Sequence, residues 1–160
     1  TISTASVLFS KQYPAEKWVK FINLIPHNYT IYLLGAPADA ELASTIKNTS
    51  THPQIAILCG KLSFLQSAAL MKHAVMNYVN DSAPMHFASA VNAPVTAVYC
   101  STIPAFGFGP LSDISFVVER EEPLYCRPCG LHGRKECPQG HFKCAFEIRE
   151  EQLMNSLRNL

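Results

Sequence analysis

Charge is scarce in this chain: aspartate, glutamate, lysine and arginine make up 16% of its 160 residues and leave a net charge of +1. No broad electrostatic footprint for nucleic acid follows from that balance. The only basic concentration is local, between Arg127 and Lys143. Long apolar runs are missing as well. Nothing approaches the roughly 20 consecutive apolar residues of a membrane-spanning helix, and Thr1 to Tyr13 lacks the charged-then-apolar order of a signal peptide. The sequence thus reads as cytoplasmic. There is no acidic cluster suited to magnesium, no internal repeat and no low-complexity tract. A dehydrogenase is disfavoured, because Ser10-Lys11-Gln12-Tyr13-Pro14 stands where a Gly-x-Gly-x-x-Gly turn would follow the first strand. The absent initiator methionine and the abrupt opening into a strand suggest a piece of a longer protein.

What is present is enough for one domain, residues 1–160, with a full core, and the 48% apolar content is ordinary for a globular protein. Strand-like runs recur at Ala5 to Phe9, Thr30 to Leu34, Ile55 to Cys59, Val75 to Val79, Pro94 to Cys100 and Ser115 to Val118. Helical segments separate most of them. In the first, Trp18, Phe21, Ile22 and Ile25 recur at i, i+3, i+4 and i+7, with Glu16, Lys17 and Lys20 expected to point outward. Leu42 with Ile46, then Phe64, Leu65, Ala68 and Met71, then Met85, Ala88 and Val91, give apolar faces on three more helices, and a last helix is expected at about 148–159. Short apolar strands alternating with helices imply a parallel sheet covered on both faces, a doubly wound, Rossmann-like α/β fold.

Ligands of such sheets bind beyond the carboxyl ends of the strands, and the polar motifs collect there. Lys11 follows the first strand, Gly35 to Asp39 the second, Gly60 to Ser63 the third, Asn80 to Ala90 the fourth and Ser101 to Pro104 the fifth. In the fourth of these, Pro84 fits the first turn of a helix. The N–H groups of Ser82 and Ala83 then lack intrahelical partners, and with the helix dipole and His86 they form an anion site suited to phosphate. The alternative is that Asp81 and Ser82 merely cap the helix and His86 is an ordinary surface residue.

Four of the six cysteines, Cys126, Cys129, Cys137 and Cys144, fall in one Gly- and Pro-containing loop at 126–144, while Cys59 and Cys100 lie singly in strands and read as core. A CxxC pair followed by two more thiols suits a structural zinc. Free or redox-active thiols, disulfides or an iron cluster remain open, with His132 and His141 as substitute ligands or simply exposed. Pairs of acids such as Glu121-Glu122 and Glu150-Glu151 read as solvated charge.

Lys11-Gln12-Tyr13-Pro14, Gly35-Ala36-Pro37-Ala38-Asp39, Gly60-Lys61-Leu62-Ser63 and Asn80-Asp81-Ser82-Ala83-Pro84-Met85-His86 together resemble the glycosyltransferase family 9 heptosyltransferases from about Ser6 to Leu153. The resemblance implies the second, donor-binding half of a two-domain GT-B enzyme that transfers heptose from ADP-heptose to the lipopolysaccharide inner core. It is inverting and metal-independent, has no catalytic cofactor, and in the full-length enzyme lies peripheral at the inner membrane. It further implies that Lys11, Ser82, Ala83 and His86 hold the diphosphate, Asp39 the ribose hydroxyls and Leu62 the adenine, and that Asp81 holds sugar hydroxyls or orients the turn. The acceptor and the catalytic base would belong to an N-terminal domain with no counterpart here, leaving this chain inactive alone.

Two departures stand out. Many family members read glycine where this chain has Ala83, and the Ser101-Thr102-Ile103-Pro104 loop lacks a preceding Gly-Pro. The competing reading, from another class, is a non-catalytic nucleotide-binding or zinc-stabilised interaction module.

Overall fold

The computed structural model describes residues 1–160. Six strands form the sheet: β1 (Ile2–Ser3), β2 (Ile31–Leu34), β3 (Ile55–Ile57), β4 (Asn77–Asn80), β5 (Val95–Tyr99) and β6 (Ser115–Glu119). All neighbours are parallel and the order is β3-β2-β1-β4-β5-β6. The chain order therefore reverses between β1 and β4, the point at which a doubly wound sheet opens a crevice. The Rossmann-like fold expected from the alternating pattern is the fold observed.

Helices α1 (Ala15–Leu24), α2 (Ala40–Thr49), α3 (Phe64–Lys72), α4 (Ala83–Ala90), the short α5 (Lys143–Phe146) and α6 (Glu150–Arg158) cover the sheet. One face packs Trp18, Phe21, Ile22, Ile46 and Leu153 from α1, α2 and α6. The other packs Met71, Met85, Ala88 and Tyr99 beneath α3 and α4. Cys59 and Cys100 are buried, as their places in apolar runs imply.

Four local readings are corrected. The first strand is Ile2–Ser3, and Ala5 to Phe9 is a loop ending in a 3-10 turn at Phe9–Lys11, with Val7 fully exposed. The ladder stops because the Asn80 side-chain amide takes over, donating to Thr4 O at 3.0 Å and reaching the carbonyls of Ser3 and Ala5. Lys17 is buried rather than outward, with its ammonium 2.9 Å from Glu150 Oε1. Glu150 accordingly is no solvated charge, whereas Glu121 is, pairing with Arg149 at an exposed position. Phe64 and Leu65 are 76% and 84% exposed. The Ser63–Gln66 capping box that starts α3 sets its first turn beyond the core, where the Phe64 ring lies 5.2 Å from that of Phe87.

Candidate functional site

At the β1/β4 crossing a cavity of about 290 Å³ is lined by residues of four separate segments. Lys11 comes from the turn after β1; Asp81, Ser82, Ala83 and His86 from the start of α4; Ile103, Phe106 and Phe108 from the loop after β5; Leu131 and His132 from the cysteine-rich loop. Of the seven donor-site residues expected from the sequence, five line this cavity.

The backbone fixes their spacing. Asn80 Oδ1 accepts from Tyr13 N–H at 2.9 Å, which binds the start of α1 to the end of β4. The neighbouring Lys11 and Asp81 are brought together, with Lys11 Nζ 2.8 Å from Asp81 Oδ2. Asp81 is buried, and the same oxygen accepts from Thr102 Oγ1 at 2.6 Å. Asp81 is thus an orienting group, fixed to a lysine and a threonine hydroxyl. Capping is excluded for Ser82, whose side chain makes no cap hydrogen bond and donates instead to Asn80 O at 3.3 Å. Met85 N–H donates back to Ser82 O. Helix geometry leaves the N–H groups of Ser82 and Ala83, the N-cap and first residue of α4, without intrahelical acceptors, and both residues line the cavity. His86 is exposed on the same turn, its ring 6.3 Å from that of Phe108.

Asp39 and Leu62 do not line this cavity. Asp39 Oδ2 accepts from Ala36 N–H at 2.7 Å, closing its own turn, and Leu62 packs against the α3/α4 core. The two loops that carry them are joined: Gly60 N–H donates to Gly35 O at 2.9 Å. Gly60 has φ +71, and a Cβ there would come 2.9 Å from Pro37 Cα. Glycine is required at that crossing.

The cavity residues that the sequence reading did not assign to the donor site are Ile103, Phe106, Phe108, Leu131 and His132, the last weighed there only as a metal ligand. Ile103 stood in a strand-end loop already in view. The others carry no local signal, because they reach the site only through the path of long loops.

The cysteine-rich loop lies against this site. Arg127 anchors it to the end of β5, donating to Cys100 O and Thr102 O at 2.8 Å each and pairing with Glu119 at 2.5 Å. All six cysteines are free. Burial, then the neighbouring thiols of Cys137 and Cys126, push the Cys144 thiol up to about 11. Cys126 Sγ is 3.9 Å from His141 Nε2, and Cys137 Sγ accepts from Phe142 N–H at 3.4 Å. No three histidine, cysteine or carboxylate groups are drawn to metal-holding distance.

No helix is long and apolar enough to cross a membrane. The chain is 28% identical over 155 residues to lipooligosaccharide heptosyltransferase 2 of Haemophilus influenzae, covering 94% of this chain and 43% of that protein. It superposes with a TM-score of 0.80 on E. coli ADP-heptose LPS heptosyltransferase II, at 20% identity, over 99% of this chain and 44% of the other. E. coli heptosyltransferase WaaC, solved with ADP-2-deoxy-2-fluoro heptose, superposes with a TM-score of 0.69 at 18% identity, over 99% and 42% of the two chains. The chain therefore spans less than half the length of these relatives. The sequence profile of glycosyltransferase family 9 (heptosyltransferase) matches residues 1–138, from β1 through the loop that brings Leu131 and His132 to the cavity, and by that match the chain belongs to this family.

Proposed function

We propose that this chain is the donor-binding half of an inverting, metal-independent glycosyltransferase that moves heptose from ADP-heptose to the inner core of lipopolysaccharide. The observation that carries the reading is the gathering of Lys11, Asp81, Ser82, Ala83 and His86 around one cavity at the topological switch point. The relative with a 0.80 TM-score is named for ADP-heptose, which supports the choice of donor.

In such a transfer the anomeric carbon becomes cationic while the departing diphosphate gains negative charge. Fixed donors aimed at that charge lower the barrier. The helix start contributes about 0.3–1 kcal/mol when exposed and up to about 2 when partly buried, so Lys11 and His86 supply much of the remainder. The donor set itself suits metal-free departure: Lys11 and His86 line the cavity, and its single carboxylate is already engaged by Lys11 and Thr102. Asp39, through its second oxygen, would hold ribose hydroxyls, and Leu62 would pack on adenine. Both lie on the joined strand-end loops beside the cavity's edge of the sheet. The acceptor site and general base belong, in this reading, to the half of the relatives that the chain does not span, and the whole enzyme works at the cytoplasmic face of the inner membrane. The cysteine-rich loop would hold one structural zinc through Cys126, Cys129, Cys137 and Cys144.

Calorimetry with ADP and ADP-heptose tests the reading. Each charged contact to phosphate is worth about 1.5–3 kcal/mol, so Lys11→Ala and His86→Ala should each weaken ADP binding by about tenfold or more. Unchanged affinity in both variants would overturn the phosphate roles. Incubated with labelled ADP-heptose and a heptose-free lipopolysaccharide core, the 160-residue chain should bind donor and transfer nothing; turnover would place a complete active site within it.

A further inference from the structure

The two histidines of the cysteine-rich loop take different places. His141 turns to the thiols, with Nε2 3.9 Å from Cys126 Sγ and Nδ1 accepting from Lys143 N–H at 3.1 Å. His132 lines the strand-end cavity together with Lys11, Asp81 and His86. Its segment is held there from both sides. Downstream, Ser10 N–H donates to Arg134 O at 3.0 Å while Arg134 N–H donates to Ser10 Oγ at 2.7 Å. Upstream, Cys129 N–H donates to Ser101 O at 2.8 Å.

Gly133 lies down on the lysine itself. It has φ +81, and a Cβ at that position would come 2.8 Å from Lys11 Cγ and 3.1 Å from Ser10 Oγ. A residue without a side chain is what lets the arm approach so closely. The neighbouring His132 is therefore delivered to the cavity by fixed backbone.

The charge inventory gives this placement a use. Lys11 is already matched by Asp81 at 2.8 Å, so its ammonium alone does not answer the charge of a diphosphate entering the cavity. The further donors there are the α4 N–H groups and the imidazoles of His86 and His132. We propose that His132 is a binding residue of this pocket, donating to the diphosphate beside Lys11 and His86, so that the cysteine-rich loop supplies one wall of the donor site. This rests on the donor-binding reading above.

The test compares the parent chain with His132→Ala, His132→Asn and, as a control on the same loop, Lys135→Ala, using ADP and inorganic pyrophosphate by calorimetry and adenosine by ligand-detected NMR. Loss of one hydrogen bond to a charged group should raise the Kd of His132→Ala for ADP and pyrophosphate about tenfold. Adenosine binding and the Tm should stay unchanged, His132→Asn should recover part of the loss, and Lys135→Ala should match the parent. If His132→Ala binds ADP like the parent while His86→Ala is weakened, the assignment of His132 fails and the donor-site reading stands. Equal losses for adenosine and ADP, or a lowered Tm, would reduce His132 to a structural part of the loop and overturn the proposal. A parent chain that binds neither ADP nor pyrophosphate removes the donor-site reading and this inference with it.

Discussion

Ser10 and Ser101 meet hydroxyl to hydroxyl at 2.9 Å, buried, although 91 residues separate them. Ser10 Oγ also accepts from Arg134 N–H, so a single oxygen joins the loop after β1, the loop after β5 and the cysteine-rich arm. Ser10→Ala strands the partners of that oxygen, and leaving a buried polar group unsatisfied costs about 1–3 kcal/mol. Urea unfolding should show a loss in that range and ADP binding should weaken with it. A variant as stable as the parent would mean that the three loops are held by other contacts.

Lys17 and Glu150 form a second long-range pair, with side chains 10% and 13% exposed. Removing one partner of a largely buried pair leaves an uncompensated charge, whereas removing both charges in matched shapes is close to neutral. Lys17→Ala should destabilise the fold by about 1–3 kcal/mol, discounted for partial exposure from the cost of a fully buried break. Lys17→Met with Glu150→Gln should lie within about 1 kcal/mol of the parent. A double-mutant cycle by chemical denaturation reads the difference directly. Additive single losses would show that the two charges do not interact.

Three tyrosines are buried with raised phenol pKa values. Burial is the first cause in each case: Tyr78 is pushed up to about 12, and Tyr13 and Tyr99 are raised further, with Glu150 and Asp81 as their leading charged neighbours. Unfolded tyrosine ionises near pH 10. Above that pH the unfolded chain sheds protons that the native chain keeps, so stability falls as pH rises from about 10 through 12. Denaturation midpoints at stepped alkaline pH should decline across this window, and Tyr78→Phe should decline less steeply. A flat profile in the parent would contradict the burial argument.

Protein purified without chelator should carry close to one zinc per chain by elemental analysis, bound through Cys126, Cys129, Cys137 and Cys144. Structural zinc contributes about 10–16 kcal/mol of apparent binding energy in small peptides, enough to decide whether a loop of this kind holds its shape. Stripping the metal should raise hydrogen exchange across 126–144 and weaken ADP binding, since the loop reaches the cavity at Leu131 and His132. Metal-free protein with the same loop protection would discard the zinc.

The sheet was legible because its apolar runs alternate with helical faces, and the site because strand-end loops of a doubly wound sheet converge. Lys11, Asp81, Ser82, Ala83 and His86 were placed at that edge in this way, and they line one cavity. What escaped has physical reasons. Val7, Leu8 and Phe9 look like strand residues, yet the Asn80 amide captures the backbone carbonyls before they can join the ladder. Lys17 sits among polar positions on the helical wheel, and only its distant partner Glu150 on α6 explains its burial. His132 and Leu131 lack any periodic signal, since the Gly133 contact and the Ser10–Arg134 bonds place them.

Asn80 bonds the departing end of β1 with its amide nitrogen and the N–H of Tyr13 with its oxygen. The separation between Lys11 and Asp81 is thereby inherited from the sheet, rather than negotiated by two mobile side chains. Replacing the more exposed Lys11 should therefore change what the pocket attracts more than where the pocket is. The chemistry at this crossing is thus exchangeable while its address stays constant, and new ligands can be sought there by changing side chains on a frame that needs no rebuilding.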